Sequence, residues 1–444
     1  MMSPTGGSST LSQSDSEIVA PKQSERTPWL LASCCLLITL IPAQVVAPGP
    51  LRGNGWPPRF ISITLFILTV LGFVLIRRTQ PTRQLNIGVA LLVLHFLLIA
   101  VIYGVGEFQG QDPSAAAESV RRVGTLFATT GIALYACLRV QTSKQRSIAL
   151  GAIAIGLTFN CAVGLLQVYS PLDLSFFFEP PGFVRIRPDQ VLGSATRLGL
   201  ARSLGTSSHP IEFSVLTAAA VPLNTYFAAY ARTRNVRILA ALGACLALFA
   251  LPTAISRSGV ISLAAGLLIY MWAFKIRQIA LAGIIIAPIF LTAFAFFPAT
   301  LSALWSTIIG SNEDVSVQAR ISRYTDVSEA FHRHPFFGLG LGSSPYENYG
   351  SLDNQWLGRI VEGGLTGLAS MLVLVVAAAL ATCASLRSAR TAAERNQAYA
   401  MAAMFSAIMV SSFTFDLFAF QQATILLFVI LGLLSTNFVM PCPR

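Results

Sequence analysis

Residues 86–105 read NIGVALLVLHFLLIAVIYGV, a run without a single charged side chain. A hydrocarbon core about 30 Å thick needs roughly 20 apolar helical residues to cross it. The stretch therefore reads as a membrane span, and comparable runs extend from it in both directions. They cover roughly 29–46, 60–76, 122–140, 147–168, 211–230, 237–255, 259–274, 279–297, 363–385, 397–415 and 421–438. The expectation is an all-α integral membrane protein of about 12 transmembrane helices. Composition agrees: 54% of the chain is hydrophobic and 11% charged, against roughly 25% charged in a soluble domain. The run that begins at Trp29 is long for a signal peptide and lacks a clear cleavage site, so it reads as a retained first span.

The connections give the orientation. With the N-terminus inside, the cytoplasmic turns carry Arg77, Arg78 and Arg83; Arg139, Lys144 and Arg146; Arg232, Arg234 and Arg237; Lys275 and Arg277; and Arg387, Arg390 and Arg395. Short basic loops on that side are what the positive-inside rule requires. The net charge of +11 is thereby dispersed between spans. It forms no continuous footprint for nucleic acid. The layout expected is a disordered cytoplasmic tail (1–28), N-terminal spans (29–168), a periplasmic loop (169–210), central spans (211–297), a large periplasmic loop between spans nine and ten (298–362), and C-terminal spans (363–440). The cysteines lie inside apolar runs or at the C-terminal tip, which argues against a disulfide framework or a metal site.

Long loops in a compact protein are usually functional or disordered, and these two are rich in aromatic residues and glycine. All lysines (Lys22, Lys144, Lys275) fall on the cytoplasmic side, so every basic residue outside is an arginine. The planar guanidinium suits bidentate phosphate binding, although external arginines also pair with lipid headgroups. Four segments stand out. RSLGTSSHP at 202–210 offers Arg202 and His209 ahead of a helix whose first N–H groups suit an anion; an N-cap is the plainer role. SRSG at 256–259 holds Arg257 between two apolar runs, where a charge needs a partner or snorkels to the interface. RISRYTDVSEAFHRHPFFGLGLG at 320–342 places Arg320, Arg323 and His334 on or beside a helix with Ile321, Tyr324, Val327 and Phe331 on one face, then a glycine turn. DNQWLGRIVEGGLTG at 353–367 holds Asp353, Asn354, Trp356 and Glu362; Asp353 reads as a general base or as an N-cap.

The order and spacing of these four segments resemble the bacterial O-antigen ligase and polysaccharide polymerase family over roughly residues 150–435. The resemblance implies a GT-C-like membrane glycosyltransferase of the bacterial inner membrane, with its active site facing the periplasm. It implies a glycan donor carried on undecaprenyl diphosphate and an acceptor glycan, with no metal, cofactor or nucleotide sugar. Chain-length regulator and flippase proteins are the implied partners. Asp353 stands where ligases of the family typically carry histidine, and aspartate fits the polymerase branch better. On this resemblance Asp353, Arg257 and Arg320 would be catalytic. Arg202, His209, Arg323, His334, Asn354, Trp356 and Glu362 would bind substrate. The readings beside a polymerase are an O-antigen ligase that transfers glycan to lipid A-core, and a transporter. A transporter would place its ionisable groups near the bilayer midplane, whereas these gather at one face.

The topology has a direct test. In a cysteine-free background on intact cells, cysteines replacing Ser194, Asn312 and Ser351 should label with an impermeant maleimide. Those replacing Ser143 and Ser388 should label only after permeabilisation. The reverse pattern would overturn the orientation.

Overall fold

The computed structural model describes residues 27–49, 53–75, 85–170, 172–186, 196–197, 199–278, 298–309, 315–344 and 352–440, with a few positions between 283 and 295. Its architecture is a bundle of helices: α1 (Trp29–Leu40), α2 (Pro57–Leu75), α3 (Ile87–Gln109), α4 (Pro113–Arg139), α5 (Ser143–Tyr169), α6 (Pro210–Tyr230), α7 (Arg234–Ala250), α8 (Arg257–Tyr270), α9 (Pro298–Ile309), α10 (Val315–Arg333), α11 (Gln355–Ser388), α12 (Ala392–Ser411) and α13 (Gln421–Leu434). Among the described residues, five helical stretches are long and apolar enough to cross a membrane: Pro57–Leu75, Ile87–Gln109, Ser143–Tyr169, Arg234–Ala254 and Gln355–Ser388. The run at 279–297 lies largely outside the described residues, as does the tail before residue 27.

One expected span is shorter than its apolar run. The run from Trp29 to Val46 forms a helix only to Leu40, about 18 Å long at 1.5 Å per residue. Pro42 restricts Ile41 to the extended backbone it adopts, which ends the helix. Val45–Val46 then pairs antiparallel with Val184–Arg185. Residues 298–362 contain α9 and α10, and α10 ends just before Pro335 and the glycines that follow. Its buried side runs through Val327 and Ala330, packed with Leu352 and Val361. Tyr324, expected on that face, is 51% exposed.

The core is centred on α13. Every residue from Gln422 to Leu434 is buried, as befits a helix that is apolar all round. It packs against α4, α12, α11, α1 and α6. The peripheral helices α2, α3 and α7 instead turn Leu68, Val74, Leu97, Val101, Leu239 and Leu242 outward. Apolar surface on this scale needs a non-aqueous neighbour. Small residues set the closest crossings: a Cβ at Gly432 of α13 would lie 2.4 Å from the Ala133 carbonyl of α4.

Within the bundle α11 is broken. Gly364 has φ 54° and ψ −134°, and a Cβ there would meet the Pro335 carbonyl at 2.3 Å. Only glycine takes that conformation at no steric cost.

Gly432→Leu should cost roughly 1–3 kcal/mol by overpacking, read as a lower thermal unfolding midpoint in detergent. Gly104→Ala, on α3 with nothing within 4 Å of its would-be Cβ, should leave that midpoint unchanged or raise it.

Candidate functional site

The glycine turn is docked by its backbone. The Leu339 and Gly340 N–H groups donate to the Val361 and Glu362 carbonyls, each at 2.9 Å. Leu365 and Thr366 N–H donate back to the Pro335 and Phe336 carbonyls at 2.8 and 3.0 Å. The turn thus threads across the break in α11. On its other side Gln111 Nε2 donates to the Leu339 and Leu341 carbonyls at 3.2 and 3.0 Å. Gly340, at φ 96°, sits so close to Gly106 that a Cβ would lie 2.2 Å from its Cα.

Glu362 lies beneath this turn, with no exposed surface. Its carboxylate accepts from Arg122, from Arg359 Nη1 at 3.0 Å, from Ser344 Oγ at 2.8 Å and from Gly342 N–H at 3.3 Å. Arg122 also donates Nε to Glu118 at 2.9 Å and faces Asp416 at 3.9 Å. Arg359 stacks 4.9 Å above the Phe418 ring. Glu362, a substrate-binding residue in the sequence expectation, ties α4, the glycine turn and α11 together.

The N-cap of α11 is Asn354, whose Oδ1 accepts from Trp356 and Leu357 N–H at 2.9 and 3.3 Å. The capping role open to Asp353 therefore falls to its neighbour, and Asp353 takes a left-handed backbone with φ 45°. Trp356 donates Nε1 to Ser412 Oγ at 2.9 Å and stacks on Phe413 with centroids 5.0 Å apart. One face of its indole is thus covered.

The loop between α12 and α13, FTFDLFAF at 413–420, links this region to the 202–210 segment. Phe415 packs on Phe420 at 5.0 Å, and Phe420 on the His209 ring at 5.8 Å. His209 caps α6, its Nδ1 accepting from Ile211 N–H at 3.2 Å. The Ser208 N–H donates to buried Glu212 at 2.9 Å. These donors at the helix start, read from sequence as an anion site, are therefore engaged within the fold.

The arginines ahead of that helix are arranged differently. Ser203 N–H donates to the Thr253 carbonyl at 3.1 Å, which lays the segment along the turn between α7 and α8. Arg202 Nε then donates to the Ala254 carbonyl at 2.7 Å and Arg197 Nη1 to the Ile255 carbonyl at 3.4 Å. Arg257 begins α8 two residues later. Arg202 Nη2 is buried without a hydrogen-bond partner among the described residues. Burial, with Arg197 nearby, draws its pKa down to about 10. A desolvated donor beside further cations is relieved by an anion.

Arg320 lies on α10, but its side chain falls outside the described residues. Arg323 is half-buried on the same helix. His334 helps to line a cleft of about 490 Å³ with Asp112, Asp326, Glu329 and Arg333. The structure thus brings Arg202 to the turn before Arg257, and gathers Asp353, Asn354, Trp356 and Glu362 at the start of α11. Residues 242–372 match the family model described as O-antigen ligase, Wzy_C. The matched segment contains Arg257, Arg320, Arg323, His334, Asp353, Asn354, Trp356 and Glu362, while Arg202 and His209 precede it. The match supports a place in the O-antigen ligase and polymerase family, and with the apolar helices it marks a multi-pass membrane protein. A search of curated proteins finds no match.

The sequence reading missed Arg122, Arg359 and the 413–420 loop. The available signals were the Glu118–Arg121–Arg122 cluster at the mouth of an apolar run and four phenylalanines within eight residues.

Glu362→Ala would take from Arg359 and Arg122 the buried carboxylate they share. Removing one partner of a buried pair costs about 3–5 kcal/mol. Thermal unfolding in detergent should show that loss, and the variant should accumulate poorly in membranes.

Proposed function

We propose that the protein is an inner-membrane polysaccharide polymerase that works on the periplasmic face. It takes a glycan from undecaprenyl diphosphate and joins it to the acceptor sugar of another lipid-linked repeat unit. The observation that carries this reading is the buried Arg202 nitrogen that lacks a hydrogen-bond partner among the described residues, held with Arg197 against the turn that leads to Arg257. Such a site suits a diphosphate, whose oxygens match guanidinium forks.

In this reading an acceptor hydroxyl oxygen attacks the anomeric carbon of the donor. The bond from that carbon to the diphosphate oxygen breaks, and the electron pair leaves with the diphosphate. Arg202 and Arg257, with Arg320, offset the charge that develops there; preorganised cations in a dry site do this without reorganisation. Asp353 takes the acceptor proton, a role supported by the transfer of the capping duty to Asn354. Trp356 stacks on a sugar ring, while Asn354 fixes the start of α11. Arg323 and His334 contribute from the rim of the neighbouring cleft, and His209 holds the 202–210 segment in register. The family description also favours a second reading, in which the acceptor is lipid A-core.

Purified protein given only undecaprenyl diphosphate-linked repeat units should produce a ladder of longer glycans. Asp353→Asn should lower the rate about 10²–10⁴-fold, and Arg257→Lys should lose most activity with normal accumulation. Product that appears only when lipid A-core is added would overturn the polymerase reading in favour of ligation. Unimpaired Asp353→Asn would remove the general base.

A further inference from the structure

The far end of the bundle holds a second polar cavity. The start of α4 adjoins the glycine turn, since a Cβ at Gly342 would lie 2.6 Å from the Ala115 carbonyl. The helix then runs to Arg139, about 40 Å away at 1.5 Å per residue. There the N-termini of α5 and α12 and the C-terminus of α11 enclose a cavity of about 320 Å³. Arg146, Ser388, Arg390, Glu394, Gln397 and Asn437 line it.

Two of these side chains are deeply buried and incompletely satisfied. Arg146 is 7% exposed and Gln397 1%. Arg146 donates Nη1 to Thr436 Oγ1 at 2.9 Å. Gln397 donates Nε2 to Ser147 Oγ at 2.9 Å and to Tyr226 Oη at 3.1 Å. Arg146 Nε and Gln397 Oε1 have no hydrogen-bond partner among the described residues. An orphaned guanidinium N–H asks for an anionic acceptor, and an orphaned amide oxygen asks for a donor. The positive ends of the α5 and α12 dipoles add to the attraction for an anion. Glu394, whose Oε2 accepts from the Arg390 and Thr391 N–H groups at 2.8 and 3.3 Å, offsets one of the two arginines that line the cavity and leaves one positive charge in excess.

We infer that this cavity binds a phosphate group that carries its own hydrogen-bond donor. The phosphate oxygens meet Arg146, with Arg390 at the rim, and the donor meets Gln397. Monohydrogen phosphate has this chemistry, and so does a phospholipid headgroup with an ammonium or a hydroxyl. The inference is independent of the proposed polymerase activity, since no residue is shared with the opposite end.

The test uses the full-length protein in phospholipid-free detergent, with inorganic phosphate titrated while the thermal unfolding midpoint is read. In a second arm, protein extracted from vesicles of phosphatidylethanolamine and phosphatidylglycerol is examined by native mass spectrometry for retained lipid. An Arg232→Gln control removes an exposed cation outside the cavity lining and should leave both readouts intact. Arg146→Gln should weaken binding about tenfold or more. Ala398→Leu fills the cavity from another lining position and should abolish binding with every charge in place. Saturable stabilisation by phosphate, lost in both variants, assigns the site to the free ion. Retained lipid, lost in both variants, with no phosphate effect, assigns it to a headgroup. No saturable binding of either probe, or binding unchanged by Ala398→Leu, would overturn the inference and leave a cavity filled with water alone. Should Arg146→Gln fail to accumulate, Ala398→Leu decides.

Discussion

The Glu362 carboxylate is the point on which the glycine-turn end of the molecule depends. A buried charge is tolerated only when its hydrogen-bonding capacity is filled, and here the fillers come from three separate parts of the chain. Arg122 arrives from α4, Arg359 from the preceding turn of its own helix, and Gly342 and Ser344 from the end of the glycine turn. Because these donors converge on it, the carboxylate holds the turn in place. It also fixes the start of α11, and with it the Asp353–Asn354 corner. The glycines follow from this demand. Backbones approach at Gly340 and Gly364 to distances that no Cβ allows, so the turn fits under the carboxylate only with glycine at those positions.

Much of this end was legible in the sequence, for local reasons. The glycine turn, the arginines at 202 and 257 and the DN pair at 353–354 each carry a short-range signature: an unusual residue type next to a helix boundary. The break in α11 was foreshadowed by two adjacent glycines, though not its role in receiving the Pro335 and Phe336 carbonyls. Illegible were the pairings that depend on tertiary contact alone. Arg122 meets Glu362 across 240 positions of chain, and nothing in the residues around it announces that partner. The same holds for Glu212, whose carboxylate gathers the Gln422 and Ala423 N–H groups. Hydropathy placed the elements well because a period of apolar residues is a property of one segment. It overestimated α1 because a run of apolar residues does not reveal that Pro42 turns part of it into an extended strand.

The two ends of the bundle solve different electrostatic problems. At the glycine-turn end, carboxylates and guanidinium groups cluster near balance around Arg122, while the cations near Arg202 stand on backbone carbonyls. Carbonyl dipoles hold a guanidinium in place without neutralising it, so such a group keeps its charge for a ligand. At the other end, side-chain caps on α5 and α12 satisfy the helix starts internally, and the cavity between them retains the unmatched atoms of Arg146 and Gln397.

The burial of α13 from Gln422 to Leu434 has a consequence for biosynthesis. The central post of the bundle follows in chain order every α-helix packed against it, so a ribosome delivers it after them. Until it arrives, α4, α6 and α12 present one another with an unfilled groove, and lipid acyl chains or an insertion chaperone must occupy the space. The bundle core can therefore close only once α13 has been delivered.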